Sequence, residues 1–133
     1  MHVVNASVAR IAWPMPAGGA ARRGETRQAL LLRLDTGTGI VGIGEAAPLP
    51  GWSSETLDEA EVALRRAGSS LISTPLVAEV PPLLSHAPGP RQGRTDLPAS
   101  VQFAVETALR DAWCQMTATG FAKSLGDARE LTA

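Results

Sequence analysis

The sequence predicts an α+β fold in which a three-stranded antiparallel β-meander precedes a helical bundle. Three observations carry this. Residues 27–35 alternate, with Leu30, Leu32 and Leu34 on one face and Leu31, Arg33 and Asp35 on the other. The run Thr36-Gly37-Thr38-Gly39 that follows is a hairpin turn leading into the β-branched segment 40–46. Two later segments repeat apolar residues at helical spacing.

Residues 2–13 are rich in Val, Ile and Ala with no breaker before Pro14, and predict the first strand. Residues 14–25 gather Pro14, Pro16, Gly18, Gly19 and Gly24 beside Arg22 and Arg23, a composition with too little apolar surface to order itself. They predict a long mobile loop. Residues 27–35 and 40–46 supply the second and third strands. Gly37-x-Gly39-x-x-Gly42 matches the dinucleotide-binding pattern, but a β-branched run follows it where that pattern needs a helix N-terminus, so nucleotide binding is rejected.

Pro48 and Pro50 then take the chain out of the sheet, and Gly51 permits a tight turn. The result is a short, stiff loop with Leu49 and Trp52 at its tip. Two readings of Trp52 stand: the indole packs back onto its own domain, or it faces a ligand or a second domain. The first helix covers about residues 55–70, capped by Ser53 or Ser54, or by the box Thr56-x-x-Glu59. Leu57, Ala60, Leu64, Ala67 and Leu71 form its apolar stripe. Glu55, Asp58, Glu59 and Glu61 crowd its start and read as a solvated first turn suited to the helix dipole, not as a metal cluster.

Residues 73–96 carry five prolines and predict short turns and an exposed loop; His86 has no partner at zinc-ligand spacing. The longest helix falls within residues 98–118, with Asp96 as its cap, Pro98 in its first turn and Gly120 at its end. Its main stripe is Val101, Ala104, Val105, Ala108, Leu109, Ala112 and Met116. A second stripe, Phe103, Thr107 and Cys114, requires a partner on the other side. Arg110 is placed on the helix surface. Residues 121–125 form a last short turn, and 127–133 a polar tail.

Bulk properties set bounds. With 133 residues this is one domain or part of a larger one. A net charge of −1 offers no field to attract nucleic acid or an anionic membrane. No apolar run reaches about 18 residues, so no membrane span is expected. Cys114 is the single cysteine, which excludes an intramolecular disulfide and points to a reducing, cytoplasmic compartment.

The run Gly42-x-Gly44-Glu45-Ala46-Ala47-Pro48-Leu49-Pro50-Gly51-Trp52-Ser53-x-Glu55-Thr56 resembles the N-terminal capping domain of the enolase superfamily, and within it that of the o-succinylbenzoate synthases. Thr26-Arg27 with the apolar run 29–34 is similar to that family's second strand. Leu97-Pro98-Ala99-Ser100-Val101-Gln102-Phe103-Ala104-Val105-Glu106-Thr107-Ala108-Leu109 is similar to its long helix. The resemblance implies that residues 1–127 are a capping domain and 128–133 the start of a linker to a (β/α)-barrel that this chain lacks. In such enzymes the barrel supplies a Lys-x-Lys pair and the carboxylates that hold Mg²⁺; Lys123 is the only lysine here, so the resemblance assigns no catalytic or metal residue to this chain. It does imply two substrate-specificity loops over the barrel mouth, residues 14–27 and 48–54. Arg22, Arg23 and Arg27 are then candidates for binding a carboxylate substrate, against the alternative of solvated loop charges; Leu49, Pro50, Gly51, Trp52 and Ser53 are the candidate specificity residues of the second loop, with Leu49 and Trp52 supplying apolar wall. Glu45, just past a strand, is expected to accept loop hydrogen bonds. The implied partners are its own or a separate barrel, a small carboxylate and, as an open alternative, further copies of itself. Capping domains of N-succinylamino-acid racemases, dipeptide epimerases and muconate cycloisomerases remain alternatives, as does a stand-alone, non-catalytic binding domain on the same fold.

Overall fold

The structure, a computed structural model, describes residues 1–16, 25–76 and 96–125. Its elements are β1 (Val3–Pro14), β2 (Thr26–Thr36), β3 (Val41–Ala46), α1 (Leu57–Leu71), α2 (Ala99–Thr117) and α3 (Phe121–Ser124). The strands form one antiparallel sheet in the order β1-β2-β3, with α1, α2 and α3 following in the chain. The predicted fold class holds, and α2 is the longest helix, as expected.

Register decides which residues meet the helices. Leu30, Leu32 and Leu34 stand opposite Ala46, Gly44 and Gly42 on β3, and opposite Arg10, Val8 and Ala6 on β1. This inner face is the core: the three leucines are fully buried with Leu64 of α1 and Val101, Ala104 and Ala108 of α2. The opposite face carries Arg33, Ile43 and Glu45, all exposed. At the turn, Gly39 takes φ +83° and Thr36 Oγ1 donates to the Ile40 carbonyl at 2.9 Å.

α2 crosses β3 at backbone contact distance, because Gly42 and Gly44 present no side chains there. A Cβ on Gly44 would lie 2.8 Å from the carbonyl carbon of Ala104 and 3.0 Å from the amide nitrogen of Ala108. α2 also blunts the sheet edge that β3 exposes. Asp111 Oδ2 accepts from Ile43 N–H at 2.9 Å, and Gln115 Nε2 donates to the Val41 carbonyl at 2.7 Å. Peptide groups that would otherwise template pairing with another strand are thereby taken up.

α1 is fastened to β1 by charge. Arg10 bonds Asp58 at 2.7 Å and Glu61 at 2.5 Å, and Arg65 bonds Glu61 at 2.7 Å and the Val8 carbonyl at 3.2 Å. Arg10, then Arg65, holds the Glu61 carboxyl below the ordinary value of 4.5. Of the two start sites open for α1, Thr56 is the one used: its side chain accepts from Glu59 N–H and Glu59 returns the bond to Thr56 N–H, a complete capping box.

Several expectations need correction. The β1–β2 pairing runs further than predicted at its open end, where β1 ends at Pro14, β2 begins at Thr26 and Met15 N–H still bonds the Glu25 carbonyl at 2.8 Å, while β1 and β3 each begin one residue later, at Val3 and Val41. α2 is not closed by Gly120. Ala118 takes the left-handed conformation, φ 52°, and its N–H bonds the Cys114 carbonyl, while Gly120 begins α3. Arg110 is not a surface residue. α3 folds back on α2, Arg110 is 4% exposed, and its Nη1 donates to the Ser124 carbonyl. The second stripe of α2 divides accordingly, with Cys114 buried and Phe103 63% exposed. Most of the proline-rich region lies outside the described residues. Its first part pairs with the start of β1, where Ser73 N–H bonds the Val3 carbonyl at 2.8 Å and Leu76 N–H the Met1 carbonyl at 2.7 Å.

Candidate functional site

The loop between β3 and α1 places the residues singled out for function. Its exit from the sheet is fixed by Pro48, which is buried, and by Arg27, whose Nη2 donates to the Ala47 carbonyl at 2.9 Å. Its tip is a tight turn. Trp52 N–H and Ser53 N–H both bond the Leu49 carbonyl, at 3.0 and 2.8 Å, and Ser53 Oγ accepts from Leu49 N–H at 2.8 Å. Gly51, φ +80°, adopts the left-handed conformation that the turn needs and that glycine takes without steric cost.

This backbone economy leaves the side chains at the tip free. Trp52 is 89% exposed and Leu49 50%. The reading in which Trp52 packs onto its own domain is therefore set aside, and the reading in which it faces something else stands. The tip is closed by hydrogen bonds between Leu49, Trp52 and Ser53, while its largest apolar side chain is not covered. An indole left open in this way is available to a ligand or a second domain.

The far end of the loop is also tied down. Glu55 Oε1 accepts from Ser100 N–H at 3.3 Å and Ser100 Oγ at 2.5 Å, and its Oε2 accepts from Ser54 Oγ at 3.0 Å. α2 has no side-chain cap of its own. Pro98 occupies the N-cap position and Asp96 does not cap, so Glu55 supplies the acceptor from another segment. Sequence reasoning missed this bond, which spans 45 residues.

The other named residues are less concentrated. Arg22 and Arg23 lie outside the described residues, as does most of the predicted loop at residues 14–27. Arg27 stands in β2 opposite Trp13, not in the loop, and spends one guanidinium nitrogen on the Ala47 carbonyl. Glu45 is an exposed strand residue opposite Leu31, and its carboxylate takes no loop hydrogen bond among the described residues. Each acid expected to form a merely solvated turn is engaged: Glu55 by Ser100, Asp58 and Glu61 by Arg10, Glu59 by Thr56. Among the described residues no group of three or more His, Cys, Asp or Glu could hold a metal ion, and no helix is long and apolar enough to cross a membrane. What this arrangement shows is a tight loop whose tip presents Leu49 and Trp52 outward.

Comparison with known proteins agrees with the fold. The profile of the MenC N-terminal domain matches residues 5–89. An o-succinylbenzoate synthase of Citrobacter koseri is 38% identical over 112 residues, 81% of this chain and 29% of that protein. The L-Ala-D/L-Glu epimerase of Bacillus subtilis superposes with a TM-score of 0.76 at 28% identity, covering 98% of this chain and 36% of that one. A mandelate racemase/muconate lactonizing enzyme of Roseiflexus sp. gives 0.73 at 26% identity, over 96% and 33%. This chain thus spans about a third of each of these three proteins. It belongs to the MenC N-terminal domain family, and is an enolase-superfamily N-terminal capping domain similar to that of the o-succinylbenzoate synthases.

Proposed function

We propose that this chain is the substrate-specificity lid of an o-succinylbenzoate synthase, a cytoplasmic Mg²⁺-dependent lyase of menaquinone biosynthesis. Residues 1–127 form the lid and 128–133 lead toward a (β/α)-barrel, on the same polypeptide or a separate one. The observation that carries the reading is Trp52: an indole 89% exposed on a tight loop whose tip is closed by hydrogen bonds between Leu49, Trp52 and Ser53. Such a side chain completes a pocket whose other walls come from elsewhere.

The family's reaction removes a proton from the carbon beside a carboxylate, and Mg²⁺, where bound, would supply stabilisation of negative charge. The described residues do not fit that cation, so no step through it is assigned to this chain. The role assigned is positional. Trp52 and Leu49 wall off the bound substrate from water, which strengthens electrostatic stabilisation in the closed site. Arg22 and Arg23 are proposed carboxylate partners. Arg27 acts by holding Ala47, and with it the root of the Trp52 loop.

A second reading, the lid of a dipeptide epimerase, is favoured by the likeness to the B. subtilis epimerase over nearly the whole chain. One experiment separates the two and tests both against a stand-alone binding domain. The chain is joined after Ala133 to the barrel of an o-succinylbenzoate synthase and, separately, to that of a dipeptide epimerase. Dehydration by the first chimera and little epimerisation by the second is expected. Epimerisation alone would replace the first reading with the second; two folded, Mg²⁺-binding but inactive chimeras would overturn the lid assignment.

A further inference from the structure

We propose that Glu55 is a positioning residue that sets the pose of the Trp52 loop by locking it to the first turn of α2. The carboxylate sits between the two. One oxygen takes both the N–H and the hydroxyl of Ser100, and the other takes the hydroxyl of Ser54, two residues from Trp52. Ser100 lies in the first turn of a helix that has no side-chain cap of its own, so Glu55 satisfies an amide that the helix leaves open and places negative charge at the positive end of its dipole. α2 in turn is seated on the Gly42 and Gly44 backbone. The loop therefore inherits its position from the sheet through α2, and not only from its own short connections to β3 and α1.

The carboxyl titrates below its ordinary value. Partial burial, the largest single influence, pushes it up, and the combined donors from Ser100, Ser54 and its own backbone outweigh that. The ionised form is thus the one the site holds. Phe103, 63% exposed, lies one helical turn beyond Ser100, so the same lock bears on the spacing between Trp52 and Phe103, the two most exposed of the aromatic side chains among the described residues.

The consequence for catalysis rests on the lid reading, but the pose of the loop does not, and it is measured on this chain alone. Amide hydrogen exchange of Leu49, Trp52 and Ser53 reports the loop, because all three bond within it; Leu32 in β2 reports the fold. In Glu55→Ala the three loop amides should exchange about tenfold faster while Leu32 changes less than about twofold. Glu55→Gln, which keeps an acceptor for Ser100, should bring them back to within about threefold of the parent. Ser100→Ala, which removes only the hydroxyl donor, should speed the same amides by about threefold, and serves if Glu55→Ala does not fold. Loop amides unchanged in a folded Glu55→Ala or Ser100→Ala, or accelerated only in step with Leu32, would overturn the proposal. No barrel enters the measurement, so its result is independent of whether the lid reading survives.

Discussion

Replacing Gly44 with alanine should drive α2 off the sheet. The added Cβ collides with the Ala104 carbonyl oxygen and lies 2.8 Å from its carbon and 3.0 Å from the Ala108 nitrogen. All three are backbone atoms of a continuous helix, so no rotamer change relieves the contact. Comfortable carbon contacts begin at about 3.5 Å, so α2 must shift by about 1 Å, loosening Ala104 and Ala108 from Leu32 and Leu34. Overpacking of this kind costs about 3 kcal/mol, offset by less than about 1 kcal/mol from the stiffer unfolded chain. The melting temperature should fall by roughly 10 °C for a domain of this size. Two controls isolate the cause. Gly39→Ala meets nothing within 4 Å but forces φ +83° on a side chain, for about 1–2 kcal/mol. Gly120→Ala meets nothing and keeps an ordinary φ of −61°, and should stay within about 0.5 kcal/mol. Urea and thermal melts followed by circular dichroism give all three. A Gly44→Ala protein as stable as Gly120→Ala would refute the close seating of α2 on β3.

Arg110→Ala should cost about 2–3 kcal/mol, because it strips a buried side chain from the α2–α3 contact and leaves the Ser124 carbonyl without its charged donor; a change under about 0.5 kcal/mol would return Arg110 to the surface. Ala118→Gly should raise stability by about 1 kcal/mol, since glycine takes the left-handed end of α2 without strain; destabilisation would contradict the observed conformation. Acid should destabilise the fold. The carboxyls of Glu61, beside Arg10 and Arg65, and of Asp35, beside Arg33 and Asn5, titrate below their ordinary values of 4.5 and 3.8 in the folded chain. Their contributions are therefore complete above those values and are lost as pH falls through the lower folded ones. Melting temperature should drop between about pH 5 and pH 3, less steeply in Glu61→Gln, and a flat profile would contradict the Arg10 clamp.

Much of this fold was legible because local pattern and tertiary role coincide. The alternation of residues 27–35 survives as the leucine face of β2, and the Thr56-x-x-Glu59 box was readable as one of two starts for α1. What could not be read depends on distant parts meeting. The burial of Arg110 requires α3 to fold back, which no periodicity in α2 announces. The cap on α2 comes from Glu55, and a search beside Pro98 finds only Asp96. Gly42 and Gly44 read as part of a motif, but their physical reason, the passage of a helix backbone, lies on another element. Trp52 is the instructive case. Its loop was predicted from two prolines and a glycine, whereas its exposure was one of two open readings, because a tip that points outward and one that folds in use the same turn residues.

The most direct test of the lid assignment is the steady-state kinetics of Trp52→Ala in the chimera with an o-succinylbenzoate synthase barrel. If Trp52 closes the pocket over a substrate held by the barrel, kcat/KM falls about tenfold, or about 1.4 kcal/mol of transition-state stabilisation, while the Mg²⁺ affinity measured by calorimetry is unchanged. Turnover equal to the parent in a folded, Mg²⁺-binding Trp52→Ala chimera would contradict the account.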